Sequence, residues 1–202
     1  MNIILDLDHT IYNTNQFKKT LAKCAVDLGV TPKMFWLAYN EMRKNEAFSP
    51  EILIKYFPSE FKKNKLALIK KYHQTIKQVG QNIYKDAETF LQWANKNKCY
   101  IVLYTYGEIK VQQEKALALK NKFQIKKAVI TNDRKKLRDF NKCKNGNSWI
   151  WIDDFDSVPV SDKKFKSGKM IQIKRKKDRV RKNRIPQIKK LTQAIKIIEK
   201  MV

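Results

Sequence analysis

The chain has 202 residues, 43% of them hydrophobic, and is long enough for one domain or for one domain with an insertion. That hydrophobic content excludes wholesale disorder, and no apolar run approaches the ~20 residues of a membrane-spanning helix, so we expect no membrane partner. The 44 Lys and Arg outnumber the 19 Asp and Glu, which gives a net charge of +25 and suits a polyanionic partner such as nucleic acid.

The excess of basic residues also has an explanation that is unrelated to function. Only seven of the 44 are Arg, the side chain best suited to bidentate contacts with phosphate. Lys, Asn and Ile are all frequent. In a protein from an AT-rich genome, this bias appears at solvated surface positions whatever the protein does. Residues 161–202 carry sixteen Lys and Arg against three Asp and Glu, which either attracts anions or belongs to a solvated surface. We therefore keep nucleic acid as a less favoured partner.

Cysteine and histidine usage narrows the possible metal chemistry. Cys24, Cys99 and Cys143 are widely spaced, and an odd number without a CxxC pattern argues against a disulfide framework and a zinc site. Two histidines are too few for a histidine-based metal centre.

The first predicted strand begins at residue 2, which leaves no room for a signal peptide. We expect a reduced, cytoplasmic protein.

The first predicted elements, in chain order, are a short strand and a long helical stretch. Residues 2–5 (NIIL) are mostly aliphatic and typical of a buried strand. From about residue 15 to residue 79, apolar residues recur at helical spacings, and Ser/Thr-Pro pairs at 31–32 and 49–50 are helix start signals. This stretch predicts three or four helices with no strand between them.

Strands then alternate with helices to the end of the chain. Such alternation predicts βαβ units and a parallel sheet, so we assign the α/β class, with the helical stretch inserted after the first strand. The predicted elements are a helix (86–98), a strand (99–105), a helix (108–123), a strand (126–131), a short helix (133–142), a strand (148–154), a strand (169–174) and a helix (185–201).

Polar residues follow or end several of these strands. In an open parallel sheet the ligand site lies outside the carboxyl ends of the strands, so these residues should converge there. Carboxylates, a hydroxyl and an ammonium group together make a metal-plus-phosphate site, and oxygen ligands favour Mg²⁺, which would also relieve the repulsion between carboxylates. The residues are Asp6, Asp8, Thr105, Lys135 or Lys136, Asp153 and Asp154.

These motifs, in this order, resemble those of the haloacid dehalogenase-like hydrolases. The DxDxT motif is DLDHT (6–10), and the strand ending in Thr or Ser is IVLYT (101–105). The lysine near the start of a helix lies in RKKL (134–137), and the strand ending in an acidic pair is WIWIDD (149–154). The resemblance runs from residue 2 to about residue 173. It implies a Rossmann-like parallel sheet flanked by helices, with an all-helical cap inserted after the first strand.

The resemblance also implies domain boundaries and roles for the carboxylates. The core would comprise residues 1–14 and 85–202, and the cap residues 15–84. Asp6 would be the nucleophile and would form an aspartyl-phosphate. Asp8 would protonate the leaving oxygen and then deprotonate the attacking water, and its backbone carbonyl would bind Mg²⁺ beside the Asp6 carboxylate.

Further residues would bind the metal and the phosphate. Asp154 aligns with a direct metal ligand, whereas Asp153 would act through water or orient the motif lysine. Thr105, with Tyr106 after it, and that lysine would hold the phosphoryl oxygens.

The third and fourth motifs depart from the family pattern. The lysine is usually followed by proline, which is absent here. Lys135 is our first choice because it precedes the predicted helix by the shorter step, Lys136 is second, and Lys142 is a distant third. The position four residues beyond Asp154, where the family has an aspartate, holds Val158.

The resemblance leads to an expected reaction. Dehalogenases lack an aspartate at the position of Asp8, since halide leaves without a proton, so Asp8 favours phosphoryl transfer. Hydrolysis is the commoner outcome, and we expect a Mg²⁺-dependent phosphatase acting on a small phosphorylated metabolite, with nucleotides among the candidates. The alternative is a basic nucleic-acid-associated protein, or a nucleic-acid-end phosphatase, that retains the fold. The oligomeric state is left open.

Overall fold

Parallel β-strands form the centre of the fold. In the computed structural model six strands pair in the order β3-β2-β1-β4-β5-β6, and every pair is parallel. The strands are β1 (Asn2–Leu5), β2 (Tyr100–Tyr106), β3 (Ile125–Thr131), β4 (Trp149–Asp153), β5 (Gly168–Ile173) and β6 (Gln187–Ile188). The structure describes residues 1–78, 82–134, 136, 139–143, 149–154, 168–175 and 185–201. The predicted α/β class and parallel sheet are confirmed.

The described part of the chain also contains seven α-helices. No helix among the described residues is both long enough and apolar enough to cross a membrane. The helices are α1 (Thr14–Val26), α2 (Pro32–Asn45), α3 (Pro50–Lys55), α4 (Lys65–Lys77), α5 (Lys85–Lys96), α6 (Ile109–Lys120) and α7 (Thr192–Glu199), with 3₁₀ helices at Ser59–Asn64 and Phe140–Cys143.

The central position of β1 explains its composition. It lies between β2 and β4, and Ile3, Ile4 and Leu5 have no exposed surface. A strand that is paired on both edges and covered on both faces has a continuous apolar sequence rather than an alternation of apolar and polar residues. The residue after β1 therefore emerges at the middle of the sheet's carboxyl edge.

Helices α1 to α4 follow β1 without an intervening strand, as predicted. The Thr31 hydroxyl accepts a hydrogen bond from the backbone N–H of Met34, and the Ser49 hydroxyl accepts one from Ile52, so both Ser/Thr-Pro pairs cap helices. The division into a core and a cap at residues 15–84 stays a prediction.

The C-terminal segment differs from the helix predicted over residues 185–201. Helix α7 begins only at Thr192, because the preceding residues pair with the sheet as β6. The backbone N–H groups of Gln172 and Lys174 donate to the carbonyls of Pro186 and Ile188, at 2.9 and 2.7 Å. Pro186 also disfavours helical geometry in the residue before it.

The short helix predicted over residues 133–142 is also different. Lys136 has a φ of 55°, which is left-handed and interrupts a helix, and the 3₁₀ helix begins only at Phe140. Residues 135, 137 and 138 lie outside the described part of the chain.

Candidate active site

A cavity of about 240 Å³ opens at the carboxyl edge of the sheet. Its lining includes residues from the ends of β1, β2 and β4, as the sequence predicts. These are Asp6, Asp8, Thr105, Tyr106, Asp153 and Asp154, and Lys136 also lines the cavity from the turn after β3.

A tight turn after β1 brings both aspartates of the first motif to this cavity. The backbone N–H of Asp6 still donates to Ile152 in β4, at 3.0 Å, so Asp6 continues the strand ladder. The N–H groups of Ile11 and Tyr12 both donate to the carbonyl of Leu7, which reverses the chain. His9 lies at the turn with a left-handed φ of 63° and also lines the cavity.

Three carboxylates meet at the floor of the site. One oxygen each from Asp6, Asp153 and Asp154 lies within 4.8 Å of the other two. Burial, followed by the charge of Asp153, raises the pKa of Asp154 to about 7. Burial also raises the pKa of Asp6 well above its ordinary value, although the neighbouring Lys136 acts in the opposite direction. The cluster thus concentrates negative charge away from water.

The buried ammonium group of Lys136 faces this cluster. Lys136 Nζ pairs with Asp6 Oδ1 and with Asp153 Oδ2, the latter at 2.9 Å. Burial lowers the pKa of Lys136, but the charges of Asp153 and Asp6 outweigh it, so the pKa is raised and the group stays protonated. Lys136 alone would not balance three carboxyl groups if all of them were ionised.

The donor set fits a hard divalent cation. Mg²⁺ binds oxygen ligands at about 2.0–2.1 Å, and the three carboxylate oxygens are near enough to one another for two or more of them to share one ion. Such an ion would also balance the charge that Lys136 leaves unneutralised. Asp6 and Asp154 could hold such an ion, and Asp6 Oδ1 also accepts a hydrogen bond from Lys136. Asp153 Oδ2 accepts hydrogen bonds from Lys136 and from Trp151 Nε1.

The structure places the second of the three candidate lysines in the cavity. The left-handed backbone of Lys136 is held by Tyr104, whose hydroxyl donates to the Lys136 carbonyl at 2.5 Å. Lys142 instead forms an exposed ion pair with Asp139 at 2.7 Å. Lys135, the first choice from the sequence, lies outside the described residues.

The end of β2 offers a hydroxyl donor to an anion. Thr105 is 1% exposed, and its hydroxyl oxygen has no hydrogen-bond partner among the described residues. Burying a hydroxyl without a hydrogen-bond partner costs free energy. A hydrogen bond from this hydroxyl to a phosphoryl oxygen in the cavity would offset that cost. Tyr106 lines the cavity, and its carbonyl accepts a hydrogen bond from Gln112 Nε2 at 3.3 Å.

Asp8 has a shell of partners that the sequence analysis missed. Lys115 Nζ lies 2.9 and 3.0 Å from its two carboxylate oxygens, Gln112 Nε2 donates to it at 3.0 Å, and the Thr14 hydroxyl donates at 2.9 Å. Burial raises the pKa of Asp8, but the Lys115 charge and these hydrogen bonds outweigh it, so the pKa is lowered. Asp8 is therefore held as a carboxylate.

Comparison with known proteins adds the fold family. No family model and no curated protein matches the sequence. A haloacid dehalogenase-like hydrolase from Burkholderia xenovorans matches with a TM-score of 0.73, at 13% identity over 99% of this chain and 97% of that one. The chain has the haloacid dehalogenase-like fold.

Other structures with this fold show the same likeness. A magnesium-bound haloacid dehalogenase-like hydrolase from Bacillus subtilis matches with a TM-score of 0.64, at 14% identity over 98% of this chain and 97% of that one. A phosphatase of the same superfamily from Thermococcus onnurineus matches with 0.63, at 16% identity over the same shares. Haloacid dehalogenases also match, so the haloacid dehalogenase-like fold alone does not decide the reaction.

Arg175 is a further residue that sequence reasoning missed. Its guanidinium donates to the carbonyls of His9 and Thr10, pairs with Asp86 at 3.0 Å and lies 3.7 Å from the centre of the Tyr84 ring. These contacts connect the DxDxT turn of the haloacid dehalogenase-like fold to the start of α5. No local pattern marks it, because it lies within a basic stretch of the sequence.

Proposed function

We propose that the protein is a Mg²⁺-dependent phosphatase that hydrolyses phosphate monoesters of small metabolites through an aspartyl-phosphate intermediate. The observation that carries this proposal is the arrangement around Asp6, where a buried carboxylate lies beside a buried ammonium and an acidic cluster. The unpartnered Thr105 hydroxyl in the same cavity supports an oxyanion ligand. The three cysteines are buried free thiols, which supports a reducing cytoplasmic location.

In the first half-reaction the Asp6 carboxylate attacks phosphorus, and the bond between phosphorus and the ester oxygen breaks. Lys136 orients the attacking carboxylate and, with Thr105, binds the phosphoryl oxygens as charge develops on them. When bound by Asp6 and Asp154, Mg²⁺ supplies positive charge that neutralises and orients the phosphate.

Asp8 carries the proton in both half-reactions. The arrival of a phosphate dianion raises the pKa of a neighbouring carboxyl group, so Asp8 can be protonated in the substrate complex and give that proton to the leaving alkoxide. The resulting carboxylate, held by Lys115 and Gln112, then takes a proton from the water that hydrolyses the aspartyl-phosphate. A halide leaving group needs no such acid, so Asp8 favours a phosphatase over a dehalogenase.

The first test is hydrolysis of p-nitrophenyl phosphate with Mg²⁺ and with excess chelator. We expect turnover only with the metal, and a loss of about four orders of magnitude in kcat for Asp6→Asn, because this substitution removes the nucleophile. Lys142→Met is the control, since Lys142 is exposed and lies outside the cavity lining. Absence of wild-type turnover, or turnover undiminished by Asp6→Asn, contradicts the proposal, as does halide release from 2-haloacids without phosphatase activity.

A further inference from the structure

Part of the cavity lining comes from the helical stretch after β1 rather than from strand ends. Helix α1 contributes Phe17 and Lys18, helix α2 contributes Tyr39 and Arg43, and Phe48 follows from the loop after α2. In the proposed reaction these side chains would surround the leaving group of the ester. Three of them are aromatic and two are cationic, so the leaving group could be recognised through stacking or through charge.

The aromatic rings are already engaged by the protein. The ring of Tyr39 stacks on Phe35 with centroids 5.9 Å apart, and Lys18 Nζ lies 5.4 Å from its centre. Lys115 Nζ lies 5.2 Å from the centre of the Phe17 ring, and Phe48 meets that ring edge-on. A flat ligand such as a nucleobase would have to displace these contacts before it could stack on Tyr39 or Phe17.

The cationic side chains, in contrast, are not all matched by anions of the protein. Lys136 and Lys115 are paired with Asp6, Asp153 and Asp8. Arg43 lines the cavity and forms no hydrogen bond or ion pair with any residue that the structure describes. Its guanidinium is therefore open to an anionic ligand.

Arg43 and Lys18 both line the cavity, and both act on the Tyr39 side chain. Burial raises the pKa of the Tyr39 phenol to about 12, and the charge of Arg43, four residues further along α2, acts against this increase. Lys18 Nζ lies over the same ring. Two cations from two different helices thus act on one side chain of the cavity lining.

We propose that Arg43 and Lys18 bind a second anionic group of the substrate, so that the enzyme acts on phosphate monoesters whose leaving group itself carries a carboxylate or a phosphate. The planar guanidinium of Arg suits both groups, since it donates two parallel hydrogen bonds to two oxygens. This inference rests on the proposed phosphatase function and adds a substrate class to it.

The test compares esters that share one carbon chain and differ only at its far end. The ends are methyl, carboxylate, phosphate and trimethylammonium, and each set is prepared at several chain lengths. We expect kcat/KM for one or both anionic esters to exceed that of the methyl ester by about 10- to 100-fold at the best length, as for a charge-assisted hydrogen bond. The trimethylammonium ester should be the poorest substrate, and the better of the two anionic ends identifies the natural group.

Variants of Arg43 assign this preference to the proposed residues. Arg43→Met should remove most of the preference through an increased KM for anionic esters, with the methyl ester unaffected, and Arg43→Lys should restore part of it. Lys18→Met should weaken the preference in the same sense. Lys44→Met is the matched control, because Lys44 is the next residue of α2, is exposed, pairs with Glu41 and does not line the cavity.

Two results would overturn the inference while leaving the phosphatase function in place. One is Mg²⁺-dependent turnover of the methyl ester with no preference for either anionic ester. The other is an equal loss of kcat/KM for all esters in the Arg43→Met variant, provided that this variant unfolds at the wild-type temperature. Failure of every ester, the methyl ester included, would contradict the proposed function and with it this inference.

Discussion

At the scale of single residues, Asp8 depends on a cation that lies 107 positions away in the chain. Lys115 is 3% exposed, and it contacts both oxygens of the Asp8 carboxylate. A cation this deeply buried is usually paired, and removing it leaves its partner without compensation. The pair therefore joins the DxDxT turn to α6.

We predict that Lys115→Met lowers the free energy of unfolding by about 1–3 kcal/mol, because the Asp8 carboxylate would lose its counter-ion in a partly buried position. Asp8→Asn should partly compensate, so the double variant Lys115→Met/Asp8→Asn should lose less stability than the sum of the two single variants. Urea unfolding of the four proteins at neutral pH measures this coupling. Strict additivity would show that the ion pair does not contribute.

Gly107 supports the same group of residues from the backbone. Its φ of 153° lies in the region that favours glycine, and a Cβ placed there would lie 2.6 Å from Gln112 Nε2. Gln112 in turn donates to Asp8. The absence of a side chain at position 107 thus leaves room for a group that orients Asp8.

We predict that Gly107→Ala costs more than the ~1 kcal/mol of backbone strain alone, because it also displaces Gln112. Gly29→Ala is the matched control, since Gly29 has a φ of 90° but a Cβ there would meet only the Phe61 ring at 3.8 Å. Gly107→Ala should also lower phosphatase activity, whereas Gly29→Ala should not. If the two variants lose equal stability in urea unfolding, steric displacement of Gln112 is not the cause.

At the scale of secondary-structure elements, His73 joins three helices. Its Nε2 lies 2.8 Å from Glu51 of α3, and its Nδ1 lies 3.5 Å from Glu114 of α6. Partial burial lowers the pKa of His73, but the hydrogen bonds and charges of the two glutamates outweigh it and raise the pKa above the ordinary value. The protonated ring is therefore the form that stabilises this helix junction.

The sign of this shift predicts a dependence of stability on pH. Since the folded-state pKa is raised, the contribution of His73 is fully present below the unfolded-state pKa of about 6.5 and is lost as pH rises through the folded-state pKa. His73→Gln should therefore be less stable than wild type by up to about 1 kcal/mol in mild acid, with a smaller difference in mild alkali.

Urea unfolding of wild type and His73→Gln across this pH range measures the effect. Glu114→Gln serves as a second probe, because it removes one of the two carboxylates and should reduce the pH dependence without abolishing it. A difference that grows toward alkaline pH would contradict the assigned direction of the pKa shift.

At the scale of the whole molecule, the net charge of +25 acts on any anionic substrate. A strongly positive protein attracts anions over distances comparable to the Debye length, which is about 10 Å at 0.1 M salt. The same charge would suit the nucleic-acid alternative, which stays a prediction. Most of the basic segment 174–184 lies outside the described residues.

We predict that kcat/KM for phosphate monoesters falls about threefold to tenfold between low and high ionic strength, because salt screens this attraction. The value of kcat at saturating substrate should change little, since the reacting groups are buried. Steady-state kinetics over a salt series test this expectation. A kcat/KM that is independent of salt would show that the charge does not steer the substrate.

Five of the six strands and the residues at the carboxyl edge of the sheet could be predicted from the sequence, whereas β6 falls where a helix was predicted. Strand β1 is a short apolar run, and Asp6, Thr105 and Asp153 lie at the ends of apolar segments. Hydrophobic patterning is local, and parallel strands place their carboxyl ends along one edge, so convergence of these residues followed without three-dimensional information. The resemblance to the haloacid dehalogenase-like hydrolases rested on the same local motifs.

Tertiary structure alone decided which side chains surround these residues. Lys136 enters the cavity from a left-handed turn, and Lys115 and Gln112 enter it from the buried face of α6. Arg175, two residues beyond β5, contacts the turn after β1 without lining the cavity. One signal was present, since Gln112 and Lys115 fall on the apolar face of α6. Their partners could not be identified, because a contact between residues about 100 or more positions apart depends on how α6 and β5 pack against the turn after β1, and no local pattern encodes that packing.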